Sequence, residues 1–87
     1  MEDLLRVLGC DPDEIEWILK DFKDKNIATV ESALNLLIRY QCDKDFVKYI
    51  IFNHKSIFDM DLERIEYIIE AILSNGDIIE ETLLELV

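Results

Sequence analysis

Apolar residues recur along this chain at helical spacing, in two interleaved stripes. One stripe reads Ile15, Ile18, Leu19, Phe22, then Val47, Ile50, Ile51, His54, then Ile79, Thr82, Leu83, Leu86. The other reads Met1, Leu4, Leu5, Leu8, then Ala33, Leu36, Leu37, Tyr40, then Ile65, Ile68, Ile69, Ile72. Steps of three and four residues place each set on one helix face. Successive sets lie 32 residues apart, and only His54 and Thr82 break the apolar pattern. Any two amphipathic helices can be slid until such stripes agree, so the loops are more informative. Cys10-Asp11-Pro12-Asp13 returns as Cys42-Asp43-Lys44-Asp45, and Thr29-Val30-Glu31 returns as Asp61-Leu62-Glu63. A fixed period of this length predicts stacked supersecondary units.

Local signals divide the pattern into six helices. Glu2 to Leu8 reads as a short first helix stopped by Gly9, a residue that tolerates positive φ. Asp11 caps a second helix, Pro12 to about Lys23, with Pro at its first position and Glu14 three residues after the cap. Thr29 is the expected cap of a third helix, to about Gln41, and Asp43 of a fourth, Lys44 to about His54. Asp59 or Asp61 is the expected cap of a fifth, which runs to Asn75 and stops at Gly76. Asp77, with Glu80 three residues later, is the expected cap of a sixth, Ile78 to Val87. Short connections predict antiparallel neighbours. The expected fold is all-α: about six short helices in antiparallel pairs, helical-repeat-like or an orthogonal bundle, in a single domain over residues 1–87. The fourth helix carries the repeat stripe and a second row, Phe46, Tyr49 and Phe52. It is therefore expected to be the central, buried helix. The other reading is an exposed aromatic row that docks a partner. Trp17 matches Tyr49 across the period, and an aromatic there is expected to fill the seam between units.

Charge changes this picture more than composition does. The chain is 51% hydrophobic, enough for a core at 87 residues, and its net charge is −11. Residues 1–19 hold six acids and one base, residues 20–55 five acids and seven bases, and residues 59–87 nine acids and one base. Repulsion between acidic surfaces favours solubility. A sharper reading is that the acidic last third contacts a basic protein surface. Phosphate backbones need Lys and Arg, which disfavours nucleic acid as the first expectation. No apolar run reaches the roughly 20 residues of a membrane helix. The acidic start, Met1-Glu2-Asp3, does not read as a signal peptide. Two cysteines are too few for a disulfide scaffold. An intracellular, cytoplasmic setting is expected.

Candidate chemistry is sparse. His54 is the only histidine and falls near a helix end, where the dipole favours a cation. Cys10 and Cys42 hold equivalent corner positions, as small buried hydrophobes would. The pairs Asp11/Asp13, Asp43/Asp45 and Asp59/Asp61 lack the Gly and terminal Glu of a calcium loop, and they read as caps and first-turn acids. No Gly-rich phosphate loop and no nucleophile–base set is present. The expectation is no enzyme, no cofactor and no metal.

The segments Gly9-Cys-Asp-Pro-Asp-Glu-Ile-Glu-Trp-Ile-Leu and Lys55-Ser-Ile-Phe-Asp-Met-Asp-Leu-Glu-Arg-Ile resemble the opening and mid-turn of mitochondrial transcription termination factor (mTERF) repeats. The resemblance covers most of the chain and implies paired helices at a period in the low thirties. The family has a Pro in its turn, absent here from Asn26 to Thr29 and from Lys55 to Phe58. It is also basic where it meets nucleic acid, and this chain is acidic. The resemblance implies no functional residue at any position here.

The leading expectation is a non-catalytic module that binds another protein, with a basic partner surface as the sharper form, as an adaptor, small subunit or inhibitor. The candidate partner-binding residues are Ile78, Leu83, Leu84, Val87, Phe52, Glu66, Glu70 and Glu81. The sixth helix offers more apolar surface than one neighbour covers, so a homodimer is possible; the alternative is that it folds back on Leu4, Leu5 and Leu8. Two other functions stay open. One is a nucleic-acid-binding repeat using Lys20, Lys23, Lys25, Arg39, Lys48 and Lys55. The other is an acidic mimic of nucleic acid that blocks a basic site.

Overall fold

Each helix end exposes backbone groups with no intrahelical partner, and the side chains that satisfy them set the boundaries. The structure, a computed structural model, describes all of residues 1–87. It holds α1 (Glu2–Val7), α2 (Pro12–Asp21), α3 (Ile27–Arg39), α4 (Lys44–Asn53), a 3-10 turn (Lys55–Asp59), α5 (Leu62–Ser74) and α6 (Ile79–Leu86), and no strand. At α2 the full capping box forms. Asp11 Oδ1 accepts from the Glu14 N–H at 2.8 Å, and Glu14 Oε1 accepts from the Asp11 N–H at 3.0 Å. Asp43 caps α4 by accepting from the Asp45 N–H.

Two expected starts differ, those of α3 and α6, while α5 starts after Asp61, one of its two expected caps. α3 is capped by Asn26, whose side chain accepts from the Ala28 and Thr29 N–H groups, so Thr29 lies inside the helix. Asp61 holds the cap position of α5 without a side-chain bond. The cap of α6 is Ile78, one residue beyond Asp77, and no side chain serves it. α2 and α4 also end earlier than expected, at Asp21 and Asn53.

The first helix of each pair ends in the same way. Gly9 has φ +86° and Gly76 φ +77°, while Gln41 takes φ 60° without being glycine. At each, the following N–H reaches back to a carbonyl five residues earlier: Cys10 to Leu5, Cys42 to Leu37, Asp77 to Ile72. This six-to-one bond defines the Schellman stop and brings the two residues it joins together. Cys10 and Cys42 are buried there, beside Leu5 and Leu37.

α1 packs on α2, α3 on α4 and α5 on α6. Equivalent helices of successive pairs then lie side by side and parallel. Lys48 reaches Glu14 at 3.4 Å and Lys55 reaches Asp21 at 3.1 Å, both with rising residue number along α2 and beyond the end of α4. Arg39 and Tyr40 of α3 meet Glu66 and Glu70 of α5. The result is a stack of three helix pairs, drawn out to 38 × 22 × 19 Å. Its 22 buried residues are all apolar or cysteine. α6 packs principally on α5, and not on α1 as the fold-back alternative would have it.

The centre of the stack is α3, not α4. α3 buries Val30, Ala33, Leu34, Leu36 and Leu37 and touches α4, α5 and the 3-10 turn. α4 buries only Val47, Ile50 and Ile51 and leaves Tyr49 half exposed. The repeat also slips. The α2–α3 connection, residues 22–26, is three residues shorter than the α4–α5 connection, residues 54–61. Helix caps therefore fall at 11, 43 and 78. The extra residues form the 3-10 turn, which buries Ile57 and Phe58; the Phe58 ring lies 5.5 Å from that of Phe22. No helix is long and apolar enough to cross a membrane.

Candidate docking surfaces

The seam between α2 and α4 carries an aromatic patch. Trp17 of α2 lies against Phe52 of α4, with ring centroids 5.2 Å apart and tilted by 31°. Tyr49 and the His54 ring are 5.5 Å apart on the same side of α4. Trp17 remains 47% exposed and Tyr49 50% exposed, so neither is sealed into the seam as the repeat register suggested. Two ion pairs, Glu14–Lys48 and Asp21–Lys55, flank the stack about two helical turns apart. Lys48 also donates to the Gly9 carbonyl at 3.4 Å. At the next seam, Glu80, 32 residues on, accepts from the Asp43 N–H at 3.1 Å. Each contact ties a unit to the corner before it, but through different helix positions: Lys48 stands five residues after its cap Asp43 and Glu80 two after its cap Ile78.

The second surface is built by α5 and α6. Ile65, Ile69 and Ile72 face the core; of the exposed residues, Leu62 and Leu73 border that face, Glu66, Glu70 and Glu63 follow around the helix, and Tyr67 stands opposite the core. Tyr67 is the most exposed of the large apolar side chains, at 75%. After Arg64 the chain has six acids and no base. Glu66 Oε2 accepts from Arg39 at 2.8 Å, and Glu70 accepts from the Tyr40 hydroxyl. That hydrogen bond, followed by burial and the carboxylate charges, raises the Tyr40 pKa.

The expected partner-binding residues divide accordingly. Ile78 and Val87 are exposed, Leu84 is half-buried and Glu81 is exposed on α6. Leu83 is fully buried in the core and is removed from the set, because its side chain lies on the inward face of α6 beside Ile79. Phe52 belongs to the α2–α4 seam. Tyr67, Leu73 and Trp17 were not among the expected residues. The signal for Tyr67 was available: it is an aromatic ring on the polar arc of a helix, with glutamates three and four residues away on either side.

Of the six bases in the nucleic-acid alternative, five sit in ion pairs: Lys20–Glu16, Lys25–Asp59, Arg39–Glu66, Lys48–Glu14 and Lys55–Asp21. Both cysteines are buried and free. Burial raises the Cys10 thiol, with Lys48 opposing. Burial, aided by Glu80, pushes Cys42 up to about 11. Thiols held protonated in this way are poor nucleophiles and packing elements first.

No protein-family model, curated protein or solved structure matches the chain.

Proposed function

We propose that this chain is a non-catalytic module that docks another protein through side chains its own fold does not use. The observation that carries this reading is the contrast between core and surface. The buried volume is filled by 22 apolar or cysteine side chains, and Trp17, Tyr49, Tyr67, Ile78 and Leu86 are left outside it. Trp and Tyr are the residues most enriched among those that dominate binding energy at interfaces. Catalytic acids and bases depend on desolvated polar surroundings, and here the desolvated positions are apolar. A cytoplasmic adaptor, subunit or inhibitor is the form of this function we favour.

The acidic-inhibitor reading keeps a specific support of its own, the six uncompensated acids after Arg64. The nucleic-acid reading is weakened by the pairing of its lysines with carboxylates, since phosphates would compete with those carboxylates for each base. The test is capture of partners by the immobilised chain, followed by binding of the purified partner. We expect saturable binding to a protein after nuclease treatment. Retention of nucleic acid alone, or of nothing, would contradict the proposal.

A further inference from the structure

We infer that the outer arc of α5 receives a basic amphipathic helix of the partner protein, with Tyr67 as the central anchor. This rests on the interaction reading above and assigns its surface and the chemistry of its occupant. The arc carries exposed apolar residues at its two edges, Leu62 and Leu73 at one and Tyr67 at the other, with Glu66, Glu70 and Glu63 between them. It also borders a trough. A depression of about 330 Å³ between α3 and α5 is lined by Ser32, Asn35, Leu36 and Arg39 on one side and by Leu62 and Glu66 on the other. A second, of about 650 Å³, runs over the first turns of α5 past Asp61, Leu62, Glu63, Arg64 and Tyr67. Leu62 lines both.

Charge decides what lies there. Glu63, Glu66 and Glu70 flank Tyr67 along about 10 Å of helix; Arg39 pairs with Glu66, and Arg64 stands beside Glu63 and Tyr67 as the one cation of this stretch of α5, which Asp61 and the three glutamates outnumber. Lysines or arginines at i, i+3 or i+4, and i+7 of a partner helix match that spacing, and their charge complements it. The Tyr67 ring can take a cation over its face while its edge meets an aliphatic residue. A second copy of this chain would bring glutamates against glutamates. Phosphate polymers would be repelled. A peptide added as a β-strand would need a free strand edge, and this all-α fold has none.

The experiment uses the full chain, labelled with nitrogen-15, and a synthetic amphipathic Leu/Lys helix of about 18 residues as probe. Two comparators share its length: a scrambled peptide of the same composition, and one with Glu in place of Lys. We expect saturable amide shifts on Leu62 to Leu73 and on the facing turn of α3, with no binding of either comparator. Tyr67→Ala and Glu63→Lys should each weaken the probe about tenfold or more, as loss of a central anchor does, with unchanged melting temperatures. Equal binding of the scrambled peptide would reduce the effect to bulk charge and overturn the assignment. So would indifference to Tyr67→Ala, or shifts centred on Trp17 and Tyr49. If the captured native partner binds while Tyr67→Ala and Glu63→Lys leave its affinity unchanged, this assignment fails and the interaction reading stands.

Discussion

At the scale of single residues, the corners of the stack hold the most specific physics. Asp11 is both donor and acceptor in the capping box of α2, so Asp11→Ala should cost about 0.5–2 kcal/mol. A denaturant series on the pair measures this, and an unchanged midpoint would show the cap to be idle. Gln41 pays for its place in the Schellman stop with a left-handed backbone, where a side chain is strained. Gln41→Gly should therefore raise stability, by about 0.5–1 kcal/mol after the greater freedom of glycine in the unfolded chain is deducted. Cys42 makes the third case. Its thiol is neutral in the fold up to about pH 11, whereas an exposed thiol ionises near 9.0. Between those values the folded state binds more protons than the unfolded state, so stability falls as pH rises. This contribution is complete below pH 9 and is lost as pH passes through 11. Tyr40 titrates with the same sign, so the comparison to make is urea midpoints at pH 8.5 and 10.5 for wild type against Cys42→Ala. The variant should show the shallower loss.

At the scale of elements, six helices were readable from stripes and stops, but not every start was. Gly9 and Gly76 act where glycine is expected to act, and the Asp11–Glu14 box is local in sequence. Asn26 is masked in the sequence by Thr29, which matches the 32-residue register. The spacing of Asp77 to Glu80 fits a capping box, yet Glu80 turns instead to the Asp43 N–H of the preceding corner. That contact spans 37 residues, and no local rule reports it. The three-residue slip in the 3-10 turn escaped notice for a geometric reason. Three residues turn a helix through about 300°, so a slipped apolar stripe still points nearly the same way. The central place of α3 likewise depends on what lies beside it, and its apolar content alone resembles that of α4. α6 then has an unfilled requirement, since Ile78 offers no oxygen to its first N–H groups. Ile78→Ser should supply one and raise the thermal stability by about 0.5–1 kcal/mol. A lower melting temperature would mean that Ile78 packs more than its 54% exposure implies.

At the scale of the whole molecule, the chain divides its labour between an apolar interior and a surface that is acidic, with aromatic and aliphatic residues standing out from it. Of the candidate binding residues, Ile78, Val87 and Glu81 lie where the sequence pattern put them, on the exposed part of α6 and its end. Leu83 does not, because helical periodicity identifies an apolar face without saying which part of it a neighbour covers. The exposed rings of Trp17, Tyr49 and Tyr67 come from three different helices, and only the fold shows that they remain uncovered. The central claim is that these side chains serve binding and not folding. The most direct measurement is calorimetric titration of the captured, purified partner into wild type and into a variant carrying Trp17→Ser, Tyr49→Ser and Tyr67→Ser, with the melting curve of each protein recorded alone. The account predicts cooperative melting of both proteins and a loss of affinity of about a hundredfold or more in the variant. A folded variant that binds its partner as tightly as wild type would contradict it.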